Sequence, residues 1–167
     1  MPPDKPHGAA GVGVLVSLIL AMMLRILPLP PGGFVYNPDW LALLLIYWTL
    51  LAPDRVGVVT AWLVGLTADV LTGRLLGQYA LAYVVIAYVN LQMRQKLIAL
   101  PVFLQCLWVW LLLLLAQLLI LWTQRIEMAE SMRVIYWLPS FTGALAWPVV
   151  LGVMRGLGRY DGVLRGS

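Results

Sequence analysis

Residues 97–122 read LIALPVFLQCLWVWLLLLLAQLLILW, and no charged side chain interrupts them. An α-helix over that run is about 39 Å long, more than the roughly 30 Å of hydrocarbon in a bilayer. The rest of the chain has the same character. Of 167 residues, 62% are hydrophobic and 11% charged, and the mean hydropathy is +0.91. Soluble domains carry about a quarter charged residues. A chain this short cannot hide so much apolar surface from water. These values exclude a soluble enzyme, a disordered tail and a nucleic-acid-binding domain. The expected fold class is an all-α integral membrane protein, a bundle of six transmembrane helices, or five if the second is re-entrant.

Five further apolar segments accompany this one. Helix 1 is expected over about residues 8–27. The run 12–24 follows Lys5 and His7 and has the outline of a signal peptide. No small-x-small cleavage site comes after it, but Arg25 and then Pro28-Leu29-Pro30-Pro31-Gly32-Gly33 do, so it reads as a membrane helix ending in a turn-rich linker. Helix 2 is expected from Pro38 to Ala52, with Asn37 as N-cap and Asp39 favoured by the positive end of the dipole. Its length of about 22 Å makes it short for a span. Pro53-Asp54-Arg55 reads as a tight reversal capped by Asp54. Helices 3, 4 and 6 are expected near residues 56–71, 76–92 and 134–154, with Pro139 and Pro148 inside the last and Pro148 kinking it. The polar stretch 123–133 carries Arg125, Glu127, Glu130 and Arg133. The whole chain reads as one membrane domain, 1–167, with 155–167 a mobile, basic cytoplasmic tail.

The net charge of +4 comes from 11 Lys and Arg set against 7 Asp and Glu. With six spans, Lys5, Arg55, Arg94, Lys96, Arg155, Arg159 and Arg165 fall inside. Arg25, Arg74, Arg125 and Arg133 fall outside, which places the C-terminus in the cytoplasm. Five spans give the same division with the N-terminus outside. Six is favoured, with both termini cytoplasmic, because so tight a hairpin at Asp54 suits antiparallel neighbours. The one cysteine, Cys106, lies in an apolar run and reads as inert packing.

Helix 3 is the informative segment. Gly57, Ala61, Gly65, Asp69, Gly73 and Gly77 recur every four residues, and small residues let helix backbones approach in lipid. The stripe serves either packing inside the bundle or docking of a partner's helix. Asp69 is the one acidic residue well inside an apolar span. An intramembrane charge costs about 3 kcal/mol or more unless paired or wetted. Arg25, at similar depth, is its expected partner, with Arg74 the alternative. Asp69 reads as an ion pair or cap locking helices 1 and 3, against a proton or substrate site. Trp40, Trp48, Trp62, Trp122, Trp137 and Tyr136 fall near span ends and suit an aromatic belt, whereas Trp108, Trp110 and Trp147 lie deeper. His7 is the sole histidine, which removes Ser-His and His-metal mechanisms. There is no paired-carboxylate motif and no phosphate-binding loop. The chain is expected to be no enzyme and to bind no cofactor or metal.

From Pro38-Asp39-Trp40 through Ile46-Tyr47-Trp48, Ala52-Pro53-Asp54-Arg55-Val56-Gly57 and the run from Ala61-Trp62 to Asp69-Val70-Leu71-Thr72-Gly73, closing at Leu76-Gly77-Gln78-Tyr79-Ala80-Leu81, the sequence resembles the rod shape-determining protein family MreD. The pattern covers about residues 38–92. Length, helix count and the basic C-terminus agree over the whole chain. The resemblance implies a multi-pass inner-membrane protein that binds MreC and works indirectly with the MreB filament, RodA and a penicillin-binding transpeptidase in side-wall peptidoglycan synthesis. It also implies a fold like the substrate-binding subunits of energy-coupling-factor transporters. The matching positions Asp39, Trp40, Tyr47, Trp48, Pro53, Gly57, Trp62, Gly65, Asp69, Gly73 and Gly77 are carried over as fold and interface candidates. Two functions follow. One is a scaffold that grips the transmembrane helix of MreC. The other is a transporter-like subunit holding a small molecule among Asp69, Gln78, Tyr79 and Asn90.

Overall fold

Where water is scarce, a backbone must satisfy its own N–H and C=O groups, and helices do so within one segment. The computed structural model describes residues 7–26, 37–73, 76–124 and 134–163. These form six α-helices and no strand. They are α1 (His7–Ile26), α2 (Trp40–Leu51), α3 (Val58–Thr72), α4 (Gln78–Ala99), α5 (Val102–Gln124) and α6 (Leu138–Val163), the last entered through a 3-10 turn at Val134–Trp137. One helical stretch, Val102–Thr123, is long and apolar enough to cross a membrane. Gly11–Ile26, Trp40–Leu51, Val58–Thr72 and Leu138–Met154 are shorter apolar helices. The linker 28–33, Arg74 and the charged residues Arg125, Glu127, Glu130 and Arg133 lie outside the described residues.

The shortest helix is the centre of the bundle. The run WLALLLIYWTLL is apolar on every side, as a helix covered all round requires. Every residue from Leu41 to Tyr47 is buried. α1, α4, α5 and α6 all pack on α2, while α3 stands to one side against α4. At about 18 Å, α2 falls short of the hydrocarbon thickness.

Several helix ends differ from expectation. Asp39, rather than Asn37, caps α2: its carboxylate accepts from the Ala42 N–H at 3.2 Å. Asn37 instead accepts from the Trp40 indole at 2.9 Å. α3 starts from Gly57 with no side-chain cap, so the expected Asp54 cap is not formed, and the preceding turn is closed by the Arg55 and Val56 amides, which both reach Ala52 O. α4 runs on past Gln92 to Ala99 because polar residues do not stop a helix, whereas Pro101 does. Leu100, before it, is extended at φ −79°, ψ 146°, as a pre-proline residue prefers. Pro139 occupies the first turn of α6, where its missing N–H costs nothing, and only Pro148 sits in the helix interior. The α6 backbone continues to Val163, beyond the expected end at Met154.

Candidate functional site

Two junctions gather the polar side chains of the bundle. The first joins α3 to α4. Asp69, fully buried near the end of α3, turns its carboxylate onto the start of α4. Oδ1 accepts from the Tyr79 N–H at 2.9 Å. Oδ2 accepts from the Gly77 N–H at 2.9 Å and, more loosely, from Ala80 N–H at 3.4 Å. The first N–H groups of a helix have no partner within it and carry the positive end of its dipole. Asp69 therefore caps α4 from the preceding helix. Gly77, the local N-cap residue, makes no side-chain bond.

Close approach makes that reach possible. A Cβ on Gly65 would lie 2.3 Å from Ala80 Cα and 2.6 Å from Ala80 N. The backbones of α3 and α4 touch there, and Ala61 and Ala68 on the same face are fully buried. Gly73 and Gly77 serve the turn instead, with φ of 62° and 105°, values open to glycine at little cost. A Cβ on Gly57 would meet nothing within 4 Å. The stripe of four-residue spacing thus divides into a packing segment, two turn residues and one open position.

The second junction joins α1, α2 and α4. Arg25 Nη1 donates to Asp39 Oδ1 at 3.0 Å and to the Tyr83 hydroxyl at 3.1 Å. The Tyr83 hydroxyl in turn lies 2.8 Å from both Asp39 oxygens. The guanidinium carbon sits 4.2 Å above the centre of the Tyr79 ring, a cation–π contact. The expected Arg25–Asp69 pair is therefore replaced by Arg25–Asp39. Asp69 has its charge satisfied by amides of α4, and Arg25 meets the carboxylate that opens α2. The sequence placed Asp39 at a helix start but gave no signal for its ion pair, nor for Tyr83.

Other polar groups also bind helix to helix. Asn90 Nδ2 donates to Ile46 O at 3.0 Å and to Thr49 Oγ1 at 2.7 Å. Its Oδ1 accepts from the Trp108 indole at 3.2 Å, so α2, α4 and α5 meet on one buried amide. The Trp48 indole donates to Ser17 on α1 at 2.9 Å. Gln117 on α5 donates to Tyr136 O at 3.1 Å and accepts from the Ser140 hydroxyl on α6. Trp147 on α6 is fully buried, and its indole donates to Gln105 on α5 at 3.4 Å. Trp40 and Trp48 are half-buried, whereas Trp62 projects from α3 with 48% of its surface exposed. Among the described residues no group of three His, Cys, Asp or Glu could hold a metal ion.

The charge pair makes a testable unit. Arg25 and Asp39 are part-buried, with 16% and 23% of their side chains exposed, so removing one partner and leaving the other unpaired costs about 1–3 kcal/mol. Arg25→Met and Asp39→Asn are each expected to lower the thermal stability of the detergent-solubilised protein. Asn keeps the acceptor for the Ala42 N–H, so the cap survives. The double variant is expected to lose less than the two singles together, with a coupling of about 1–3 kcal/mol. Additive losses would show that the two charges do not act on each other.

A family model, rod shape-determining protein MreD, matches residues 9–157. A curated relative, the rod shape-determining protein MreD of Haemophilus influenzae, is 32% identical over 149 residues, covering 87% of this chain and 90% of that one. No solved structure matches, so the expected likeness to energy-coupling-factor subunits gains no support.

Proposed function

The chain belongs to the MreD family of rod shape-determining proteins, and on that premise we propose that it is a non-catalytic, multi-pass scaffold of the bacterial cell-elongation machinery. It lies in the inner membrane with both termini in the cytoplasm, as the Lys and Arg distribution supports. It binds the transmembrane helix of MreC, and through MreC it supports MreB, RodA and a penicillin-binding transpeptidase in side-wall peptidoglycan synthesis. The observation that carries the reading is the family match over nearly the whole bundle. The use of the polar groups supports it. Asp69, Asp39, Arg25 and Asn90 are engaged in bonds between helices, an arrangement suited to stiffness rather than turnover. The alternative, a small-molecule-binding subunit, needs polar groups turned toward a ligand, and Asp69 and Asn90 are turned onto the bundle itself.

Of the interface candidates on α3, Trp62 is the large side chain turned outward, and exposed tryptophans anchor interfaces more often than other residues. The experiment is co-purification of the full chain with MreC from detergent. Retention is expected, and Trp62→Ala is expected to weaken it about tenfold while the bundle stays folded. Failure of the intact protein to hold MreC under mild detergent would end the scaffold reading. Unchanged retention by the variant would move the docking face off α3.

A further inference from the structure

At the junction of α2, α5 and α6 a half-open cleft of about 30 Å³ is lined by Asp39, Gln117 and Ser140, with Leu113, Ala116, Ile120 and Pro139 completing its wall. We propose that this cleft is a hydration site, holding one or two water molecules that link the Asp39 carboxylate on α2 to the Ser140 hydroxyl on α6.

Volume and donor inventory select the occupant. One water needs about 10–15 Å³ measured as positions open to its centre. The cleft therefore takes about two, and an organic ligand or headgroup does not fit. A second cation is opposed by Arg25, already 3.0 Å from the carboxylate. Asp39 can only accept hydrogen bonds. Ser140 spends its proton on Gln117 Oε1 and keeps acceptor capacity. Gln117 spends one amide proton on Tyr136 O and has a second. Acceptors on two helices and a donor on a third, set in an otherwise apolar wall, match a molecule that both donates and accepts. Water is the one of that size at hand. The site also has a physical role. Waters against Asp39 add to the solvation of the ion pair, and wetting lowers the cost of an intramembrane charge.

Radiolytic hydroxyl labelling of the full chain in nanodiscs, read residue by residue by mass spectrometry, tests it. Radicals are generated from the waters themselves, so a buried side chain is labelled where a water is held against it. Leu113 and Ile120 are only 3% and 5% exposed, and both are expected to label well above other buried leucines such as Leu41. Ser140→Val and Ala116→Val each place methyl groups in the cleft from opposite walls. Either one is expected to cut labelling at Leu113 and Ile120 about threefold or more, since the space left is below that of one water. Two variants from two helices guard against one failing to fold. Background labelling of Leu113 and Ile120 in the unmodified protein would overturn the proposal by showing a dry cleft. Labelling that persists unchanged in a folded filled variant would also overturn it, by tracing the signal to bulk solvent.

Discussion

Gly65→Ala is expected to part α3 from α4. One methyl group is added, but it has nowhere to go. Its carbon would stand 2.3 Å from Ala80 Cα, 2.6 Å from Ala80 N and 2.8 Å from Tyr79 C. All three are backbone atoms, so no rotamer change relieves the collision and the helices themselves must separate. Overpacking in a core costs about 1–3 kcal/mol when side chains can shift. Here separation also stretches the bonds from Asp69 to the amides of residues 77, 79 and 80, and the expected loss is at or above the top of that range. A falling thermal midpoint in detergent, together with cleavage appearing in α3 under limited proteolysis, is the measurement. Gly152→Ala is the control. A Cβ there meets nothing within 4 Å, and in a helix interior Ala is better than Gly by roughly 0.5–1 kcal/mol. That variant is expected to be neutral or stabilising. Equal tolerance of both substitutions would mean that α3 and α4 do not touch at residue 65.

The contrast between those glycines marks how far sequence carries. The spacing of four was legible as a small-residue ridge on helix 3, because that periodicity is local. What each member does was not. Gly65 meets a neighbouring backbone, Gly73 and Gly77 hold left-handed turns, and Gly57 faces open space; the four share one letter and one spacing. The same limit governs the charges. Depth along a helix put Asp69 and Arg25 level with each other, and depth is what hydropathy measures. It does not report rotation about the axis, nor that residue 69 sits one tight turn from the free amides of the next helix. Asp39 was legible as a residue of a helix start, since capping is local. Its bond to Tyr83, 44 residues on, depends on α2 running beside α4, which no local signal encodes.

The centrality of α2 was missed for a related reason. The expected helix from Pro38 to Ala52 was already short for a span, and its shortness left re-entry open beside the favoured crossing. Yet the same run is apolar on all sides, a pattern that favours enclosure by other helices over a single wet face. Weighing composition around the helix above its length would have placed it in the middle. The break between α4 and α5 teaches the converse. Charged Arg94 and Lys96 looked like a boundary, but Arg94 Nε reaches back to Leu50 O at 2.6 Å. It satisfies a carbonyl at the end of α2, while α4 runs on to Ala99, short of the proline.

Asp69→Ala is the second large effect expected. The carboxylate serves three N–H groups at the start of α4 at once, where Gly77, the N-cap residue, supplies no side-chain cap. Bonds between a charged acceptor and backbone donors are worth about 1.5–3 kcal/mol each. Losing the set leaves buried donors with no water to take them, so the expected loss is about 3–5 kcal/mol, a large part of the roughly 5–15 kcal/mol that holds a typical domain folded. Asp69→Asn is expected to fall between. Its one carbonyl oxygen can take the Oδ2 position and keep Gly77, but its NH2 group then faces the Tyr79 N–H, donor against donor. Asp69→Glu keeps the charge but lengthens the arm in a junction where the backbones already touch, and it should not restore the wild-type midpoint. The predicted order of stability is Asp above Asn above Ala, read by thermal unfolding in detergent and by loss of amide protection at residues 77–80 in hydrogen exchange. The exchange readout separates this capping role from a proton or ligand site. A capping residue loosens those four amides first. A functional carboxylate would leave them protected in Asp69→Asn while some flux or binding signal disappeared. If Asp69→Asn kept full protection at residues 77–80, the capping account of Asp69 would be wrong, and the reading of its charge as a site of chemistry would return.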